Sequence, residues 1–261
     1  MPEGDTLFRT AAGLRPYLIG RDIRKAHAQG PGAVPQIQRV VGKRVDAVEA
    51  QGKNLLIRFD GGLELRTHLR MNGSWHRYRP GERWRRPAAR ARLVLEVDGA
   101  VAVCFDAPVV ELFETRTEAL HPTLGTLGPD LLKPDFDAAE AHRRLRQPER
   151  AGMTISAALL DQRALAGIGN IWRNETLFAE RVDPFATVAS LDDATLDRLV
   201  RTARRLLTAS AGLAPGRAPT RVYRRTGRPC PRCGTPIRSV PLSGEVPRTT
   251  YWCPSCQGGT V

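Results

Sequence analysis

The sequence predicts an α+β protein of several domains, in which an N-terminal helix and a two-layer antiparallel β-sandwich are followed by a helical domain and a four-cysteine hairpin. Three observations support this prediction. Apolar residues alternate or form short runs in the first 120 residues, as they do in strands. Beyond residue 136 they recur at helical spacing. Four of the five cysteines lie near the end of the chain in two C-x-x-C pairs.

The first domain is predicted over residues 1–120. A helix should extend from about Asp5 to Tyr17. Cys104 lies in an apolar run, where we expect a buried, apolar side chain without a catalytic role. The clearest strands are separated by Asp-Gly turns and are expected at residues 55–59, 93–97 and 101–105.

A stretch rich in proline and glycine, residues 121–135, predicts a linker before a helical domain over residues 136–215. In that domain, Leu165–Asn170 joins two helices, and its glycines permit unusual backbone angles. Asn170 is expected to cap the next helix, whose N-terminus can bind a phosphate. An ordinary helical hairpin with an Asn cap is the alternative. The helices are expected near residues 137–146, 154–162, 170–180 and 191–210.

The last domain, residues 220–261, is predicted to be a hairpin that holds one structural Zn²⁺ ion. Nineteen residues separate its two C-x-x-C pairs, and four thiolates at this spacing suit a closed tetrahedral site. Disulfides are the alternative, which the lack of a secretory signal disfavours. The turn is expected at Ser243–Gly244. The ligands are Cys230, Cys233, Cys253 and Cys256.

The net charge of +13 is concentrated in two stretches. Residues 66–92 carry nine arginines against one glutamate, and residues 216–261 carry eight against one, so the rest of the chain has no net positive charge. Of the 40 basic residues, 36 are arginines, whose forked guanidinium suits phosphate. A nucleic acid is therefore the expected partner, rather than a membrane. Without a targeting signal, the expected location is cytoplasmic and nucleoid-associated.

The chain begins Met1-Pro2-Glu3, and removal of Met1 would leave a secondary amine beside a carboxylate. An N-terminal amine titrates at about 7.7–8.0, so part of it is unprotonated and nucleophilic near neutral pH. A helix that starts here would lower the pKa of the amine further. Alternatively, Pro2 and Glu3 are ordinary first-turn residues of a helix.

Taken together, the Pro2–Glu3 start, the Gly52–Lys53 hairpin, the Gly167–Asn170 turn and the four-cysteine ribbon resemble the formamidopyrimidine-DNA glycosylase and endonuclease VIII family of base-excision repair enzymes. The resemblance spans the chain. It is most specific in two segments that are similar to the family's helix-two-turns-helix and zinc-finger signatures, residues 159–170 and 247–257. It implies a bifunctional DNA glycosylase and AP lyase that forms an imine and nicks the strand by β- or β,δ-elimination.

The resemblance also implies roles for individual residues. Pro2 is the nucleophile that attacks the sugar C1′, and Glu3 is the general acid that assists ring opening. Lys53 and Arg248 contact the DNA backbone near the lesion. Taken alone, Lys53 reads as a surface lysine and Arg248 as a charge that offsets the thiolates. The expected DNA-binding residues are Gly169 and Asn170 of the turn and Arg70, Met71 and Asn72 of a loop that fills the space of the extruded base.

Three departures from the formamidopyrimidine branch favour the endonuclease VIII branch and oxidised pyrimidines as substrates. Gly4–Thr6 replaces that branch's Leu-Pro-Glu, residues 105–111 lack its paired arginines and phenylalanine, and residues 212–221 are too few for its long lesion-covering loop. The expected partner is duplex DNA with oxidised bases or abasic sites, bound by a monomer, and single-stranded DNA is a second candidate partner. The alternatives are a non-catalytic zinc-containing protein that binds damaged or branched DNA and a metal-dependent nuclease.

Overall fold

A computed structural model describes residues 2–30, 34, 36–214, 218–242 and 248–259. The chain forms two compact units, residues 1–126 and 127–261, and the division falls within the stretch predicted as a linker. Within the described ranges, no helix has the length and apolar character needed to cross a membrane. The predicted turn at Ser243–Gly244 lies outside the described residues.

Helices and strands have the following bounds. The α-helices are α1 Gly4–Leu18, α2 Ala138–Leu145, α3 Pro148–Ala151, α4 Ile155–Ala158, α5 Asn170–Ala179, α6 Asp193–Ala211 and α7 Pro254–Gln257. The strands are β1 Lys25–Ala28, β2 Val45–Gln51, β3 Asn54–Phe59, β4 Leu63–His68, β5 Ser74–Tyr78, β6 Ala91–Val97, β7 Ala100–Phe105, β8 Val109–Glu114, β9 Arg238–Leu242 and β10 Arg248–Trp252. The 3-10 helices are Ile37–Val40, Ala88–Arg90, Thr115–Leu120, Leu124–Thr126 and Val188–Ser190.

The first unit is a β-sandwich with one long helix. One sheet has the strand order β2-β3-β4-β8 and the other β1-β6-β7-β5, with antiparallel neighbours throughout. A single apolar core contains side chains of both sheets and of α1, including Leu7, Leu55, Leu65, Leu95 and Cys104. The predicted N-terminal helix and two-layer antiparallel sandwich are therefore confirmed. Cys104 is fully buried, and burial raises the pKa of its thiol, as expected of a structural cysteine.

A second apolar cluster lies on the other face of the β5-β7-β6 sheet and fixes the arginine-rich loop that follows β5. Trp84 of this loop packs against Tyr78 and Phe105, with ring centroids 6.1 and 5.8 Å apart. The Arg85 backbone N–H donates to the Tyr78 hydroxyl at 3.1 Å. The loop is thus held on the sheet by its aromatic side chain.

The first unit also contains a partly buried cluster in which one arginine pairs with three carboxylates. Arg58 of β3 lies 2.8 Å from Glu49, 3.2 Å from Glu64 and 2.9 Å from Glu118. Glu64 is fully buried, and its Oε1 has no hydrogen-bond partner among the described residues. Burial raises the pKa of Glu64 to about 7, an effect that Arg58 opposes and Glu118 reinforces.

We expect Glu64→Gln to reduce the pH dependence of stability between about pH 4.5 and 7. Because the folded-state pKa of about 7 lies above the ordinary glutamate value of about 4.5, the folded protein binds a proton in this range that the unfolded chain has released. Wild-type stability should therefore fall as pH rises, by up to roughly 3 kcal/mol from this group. Urea unfolding from pH 4.5 to 8 measures it.

The matched control is Asp46→Asn, since Asp46 is an exposed carboxylate on strand β2 of the same sheet. Its pH dependence should equal that of the wild type. A constant stability difference between the wild type and Glu64→Gln across the pH range would contradict the assigned titration.

The second unit has a helical core and the cysteine hairpin. Helices α2, α4, α5 and α6 share one apolar cluster. The predicted helix over 154–162 is wrong in length, because α4 ends after one turn at Ala158. Beyond Ala158, polar side chains form hydrogen bonds with backbone groups. The Asp161 carboxylate accepts from Arg163 N at 3.0 Å, and the Gln162 amide donates to Leu160 O at 3.0 Å.

Candidate active site and nucleic-acid surface

Pro2 lies just before the N-terminus of helix α1 and lines a cavity. The helix begins at Gly4, and the Glu3 carbonyl caps it by accepting from Thr6 N at 3.0 Å and Leu7 N at 3.1 Å. Pro2 and Glu3 thus precede the first turn instead of forming it. Glu3 is 1% exposed, whereas Pro2 is half-buried. The cavity, about 410 Å³, is lined by Pro2, Thr6, Met71, Asn72, Gly73, Arg86 and Arg90.

The loop that connects β4 to β5 brings two of its three predicted DNA-binding residues to this cavity. Met71 and Asn72 line the cavity, and Met71 is 53% exposed although it is apolar. Arg70 is not among the lining residues. The turn is tight, since Gly73 N donates to Leu69 O at 2.9 Å and a Cβ on Gly73 would lie 2.6 Å from that oxygen. Met71 therefore does not belong to the apolar core of the first unit.

His68 fixes the start of this loop and lies in the electrostatic field of Lys53. The Arg70 backbone N–H donates to His68 Nδ1 at 3.2 Å, and Arg70 adopts a positive φ of 43°. Burial, together with the charges of Arg66, Lys53 and Arg70, lowers the pKa of His68 to about 4. His68 is therefore neutral at physiological pH, and its ring nitrogen accepts. Lys53 itself lies half-buried in the predicted turn between β2 and β3, outside the cavity lining.

In the second unit, Asn170 has a different local role from the predicted one. Gly169 is the N-cap of α5 and Asn170 is already helical, so the prediction of an Asn170 cap is wrong. Asn170 is instead the first helical residue and is 6% exposed. Its Nδ2 donates to Thr249 O of β10 at 3.2 Å. This contact places the Gly169–Asn170 turn against the strand that begins with Arg248.

Two further side chains of α5 bind the same strand and were missed in the sequence. Arg173 Nη2 donates to Asn170 Oδ1 at 2.7 Å and to Thr249 O at 3.1 Å. Asn174 Oδ1 accepts from Tyr251 N at 2.8 Å. Asn170, Arg173 and Asn174 are spaced i, i+3, i+4, so they share one face of the helix. That polar spacing on a buried helix is the signal that would have found them.

A third residue of α5 fixes the segment that enters the hairpin. The Glu175 carboxylate accepts from the backbone N–H groups of Arg221, Val222 and Tyr223 at 2.8–3.0 Å. Burial raises the pKa of Glu175, whereas the three hydrogen bonds oppose this shift. Helix α5 therefore holds the hairpin at two places, before the first cysteine pair and along β10.

The four terminal cysteines form a site that can hold a metal ion. Their sulfur atoms all lie within 4.8 Å of one another, with Cys230 to Cys256 at 3.9 Å and Cys233 to Cys253 at 3.4 Å. Tetrahedral Zn–S bonds of 2.3 Å require sulfur atoms about 3.8 Å apart, so this cluster fits the ion. All four cysteines are free thiols, which is at odds with the disulfide alternative.

The arginines of the two basic stretches are not equivalent. Arg66 is 5% exposed and pairs with Glu111, so it belongs to the protein interior. Arg232 donates to Phe178 O at 3.0 Å and Ala179 O at 3.3 Å, at the end of α5. By contrast, Arg86 and Arg90 line the Pro2 cavity, and no sequence pattern distinguished them from the other arginines.

Comparison with known proteins agrees with this arrangement. Residues 1–108 match the formamidopyrimidine-DNA glycosylase N-terminal domain and residues 127–218 match the formamidopyrimidine-DNA glycosylase H2TH domain. A probable endonuclease 8 2 of Streptomyces coelicolor is 41% identical over 99% of this chain and 95% of its own length. The DNA-(apurinic or apyrimidinic site) lyase Nei2 of Mycolicibacterium smegmatis is 38% identical over 98% and 99%.

A solved structure has the same fold. The formamidopyrimidine-DNA glycosylase of Lactococcus lactis, crystallised non-covalently bound to DNA with an AP site, superposes with a TM-score of 0.86. The two sequences are 23% identical, and the match covers 98% of this chain and 100% of the Lactococcus chain. The similarity of fold thus extends over both units.

Proposed function

The chain belongs to the formamidopyrimidine-DNA glycosylase family, and we propose that it is a bifunctional DNA glycosylase and AP lyase of base-excision repair. The observation that carries this proposal is the position of Pro2. It lines a cavity of about 410 Å³ together with Met71 and Asn72, and a cavity of this size accommodates an extruded nucleotide. A DNA-binding protein without glycosylase activity has no need of an N-terminal amine in such a place.

The proposed reaction begins at the Pro2 nitrogen. The unprotonated secondary amine attacks C1′ of the damaged nucleotide, the bond between C1′ and the base breaks, and the base leaves with a proton. Glu3, buried beside Pro2, protonates the sugar ring oxygen so that the ring opens and an iminium forms. Loss of a C2′ proton then expels the 3′ phosphate and nicks the strand.

The second unit would hold the DNA backbone. Asn170 and Arg248 lie on elements that hydrogen bonds join directly, so a single phosphate group is within reach of both in our proposal. Lys53, which lies in the first unit, would bind a phosphate of the DNA as well. We further propose that the metal is one Zn²⁺ ion bound by Cys230, Cys233, Cys253 and Cys256. When bound, it cross-links the hairpin and leaves no open position for water.

Oxidised pyrimidines in duplex DNA are the proposed substrates. The support is the absence, at residues 105–111, of the paired arginines and phenylalanine expected of the branch that acts on oxidised purines. In the structure, Val109 and Val110 occupy the start of β8. The name endonuclease 8 of the Streptomyces relative supports the endonuclease VIII branch, on which this proposal of a substrate class rests.

The test is borohydride trapping on duplexes that carry thymine glycol, 5-hydroxyuracil, 8-oxoguanine or an abasic site. We expect covalent adducts with the abasic site and both pyrimidines, and at least about tenfold slower trapping with 8-oxoguanine, equivalent to about 1.4 kcal/mol in the barrier. Faster trapping on 8-oxoguanine would overturn the substrate assignment. Cleavage that disappears at once in EDTA would favour a metal-dependent nuclease.

A further inference from the structure

Arg86 and Arg90 enter the Pro2 cavity from a loop that the sequence did not connect with the active site. Both are anchored on one carboxylate, Asp106, at the end of β7. Arg86 Nη1 donates to Asp106 Oδ2 at 2.6 Å, whereas Arg90 donates through Nε and Nη2 to both carboxylate oxygens at 2.8 Å. Asp106 N also donates to Arg90 O at 3.0 Å.

The backbone around Asp106 indicates that this arrangement is maintained against a conformational cost. Asp106 has a φ of +54°, a region that non-glycine residues rarely adopt. The hydrogen bonds from Arg90 and Arg86 keep the pKa of Asp106 below its usual value, so the carboxylate is ionised. Two guanidinium groups against one carboxylate leave a net positive charge beside Pro2.

The hydrogen bonds of Arg86 leave one particular edge of its guanidinium available. Nη1 is occupied by Asp106 and, at 3.3 Å, by Asn72 O of the loop between β4 and β5. Nε and Nη2, which form the two-donor side of the fork, have no acceptor among the residues that the structure describes. About a third of the Arg86 side chain is exposed, 32%. Two parallel donors match two oxygens of one phosphate.

From these contacts we infer that Arg86 binds a backbone phosphate of the damaged nucleotide, with Asp106 and the Asn72 carbonyl as the groups that position it. The inference rests on the proposed function, because it places the phosphate beside the sugar that Pro2 attacks. Arg86 would thus give the first unit a phosphate contact in addition to the one expected of Lys53. Since Arg86 also contacts the Asn72 carbonyl, it links phosphate binding to the loop that carries Met71.

Arg86→Met tests the inference, because methionine retains an unbranched side chain but has no charge and no donors. The control is Arg83→Met, which removes the same charge from the same loop at an exposed arginine outside the Pro2 cavity. The DNA is a duplex with a tetrahydrofuran abasic-site analogue, which has no base and cannot be cleaved through an imine. Binding is measured between 50 and 200 mM salt, roughly the range in which phosphate contacts make the affinity depend on salt concentration.

We expect Arg86→Met to weaken binding about 10- to 100-fold, the range for a charge-assisted hydrogen bond. The slope of log affinity against log salt should become about 0.9 less steep, for one lost phosphate contact. Arg83→Met should weaken binding less than about threefold, with a slope near that of the wild type. Arg86→Lys should keep the salt slope while losing several-fold in affinity, since it retains the charge but not the fork.

Three results would overturn the inference. Equal losses for Arg86→Met and Arg83→Met would indicate general electrostatics. A loss confined to duplexes that contain thymine glycol would assign Arg86 to the base. If Arg86→Met fails to fold, Arg86→Lys serves as the test. Unaltered binding by that variant would contradict the two-donor contact of the guanidinium with the phosphate. Trapping by the wild type is measured in parallel, because its failure would refute the proposed function independently of Arg86.

Discussion

Replacing Pro2 with glycine should abolish the borohydride-trapped adduct on abasic DNA, slowing trapping by on the order of a thousandfold or more. Glycine keeps an amine, but it is a primary amine without the pyrrolidine ring, whereas the secondary amine of proline yields a charged iminium directly. Pro2 is half-buried in the cavity wall, so the position of its nitrogen is set by the ring. Peptide mapping of the wild-type adduct should identify Pro2.

The matched control is a protein that retains Met1, in which the Pro2 nitrogen is an amide and cannot attack. Its side chains equal those of the mature enzyme. It should form no adduct, while its affinity for the uncleavable tetrahydrofuran duplex remains within about threefold of the wild type. An adduct in this form would place the nucleophile elsewhere. Absence of an adduct in the wild type itself would favour the DNA-binding protein without glycosylase activity.

Replacing Cys233 with serine should release the metal and unfold the hairpin. Structural Zn²⁺ contributes about 10–16 kcal/mol in zinc-finger peptides, and few apolar side chains are available to replace it here. The hairpin's apolar cluster contains Phe178, Val222 and Ile237 besides two of the ligands. Metal analysis should give about one zinc per wild-type chain and little in the variant. DNA affinity should fall at least tenfold with the loss of Arg248 from its strand.

Cys104→Ser is the control, because it removes the fifth thiol from the core of the first unit and not from the cluster. It should lower the stability of the sandwich but keep the zinc. Circular dichroism in the strand region should change little for Cys233→Ser, since the sandwich strands belong to the first compact unit and the cysteines to the second. Retention of zinc by Cys233→Ser would contradict the ligand set, and full DNA binding without zinc would contradict the role of the hairpin.

The sequence carried the parts of this protein that depend on local patterns. Apolar alternation predicted the sandwich strands β3, β6 and β7, helical spacing predicted α5 and α6, and cysteine spacing predicted the cluster that can hold a metal, because each pattern follows from backbone geometry or ligand chemistry alone. The helix over 154–162 was too long. There, Asp161 and Gln162 bind neighbouring backbone groups, and such competition is not visible in apolar spacing.

The residues of the candidate site also divide into those that the sequence predicted and those that only the structure identified. Pro2, Met71 and Asn72 were found through motifs, and the structure brings them to one cavity. Arg86 was not found, because an arginine in an arginine-rich loop has no local signature. Only the packing of Trp84 on Tyr78 and Phe105 folds that loop back over the sheet.

By itself, then, the sequence determined the order of elements and the four cysteines that cluster, and it predicted Pro2 as the nucleophile, because these depend on residue type and spacing. The tertiary structure decided the partners of the polar side chains. It turned Asn170 from a helix cap into a contact with Thr249, and it joined Arg86 to Asp106 across 20 positions. The physical reason is that these hydrogen bonds join residues far apart in sequence, which local propensity does not encode and only the packed apolar cores bring together.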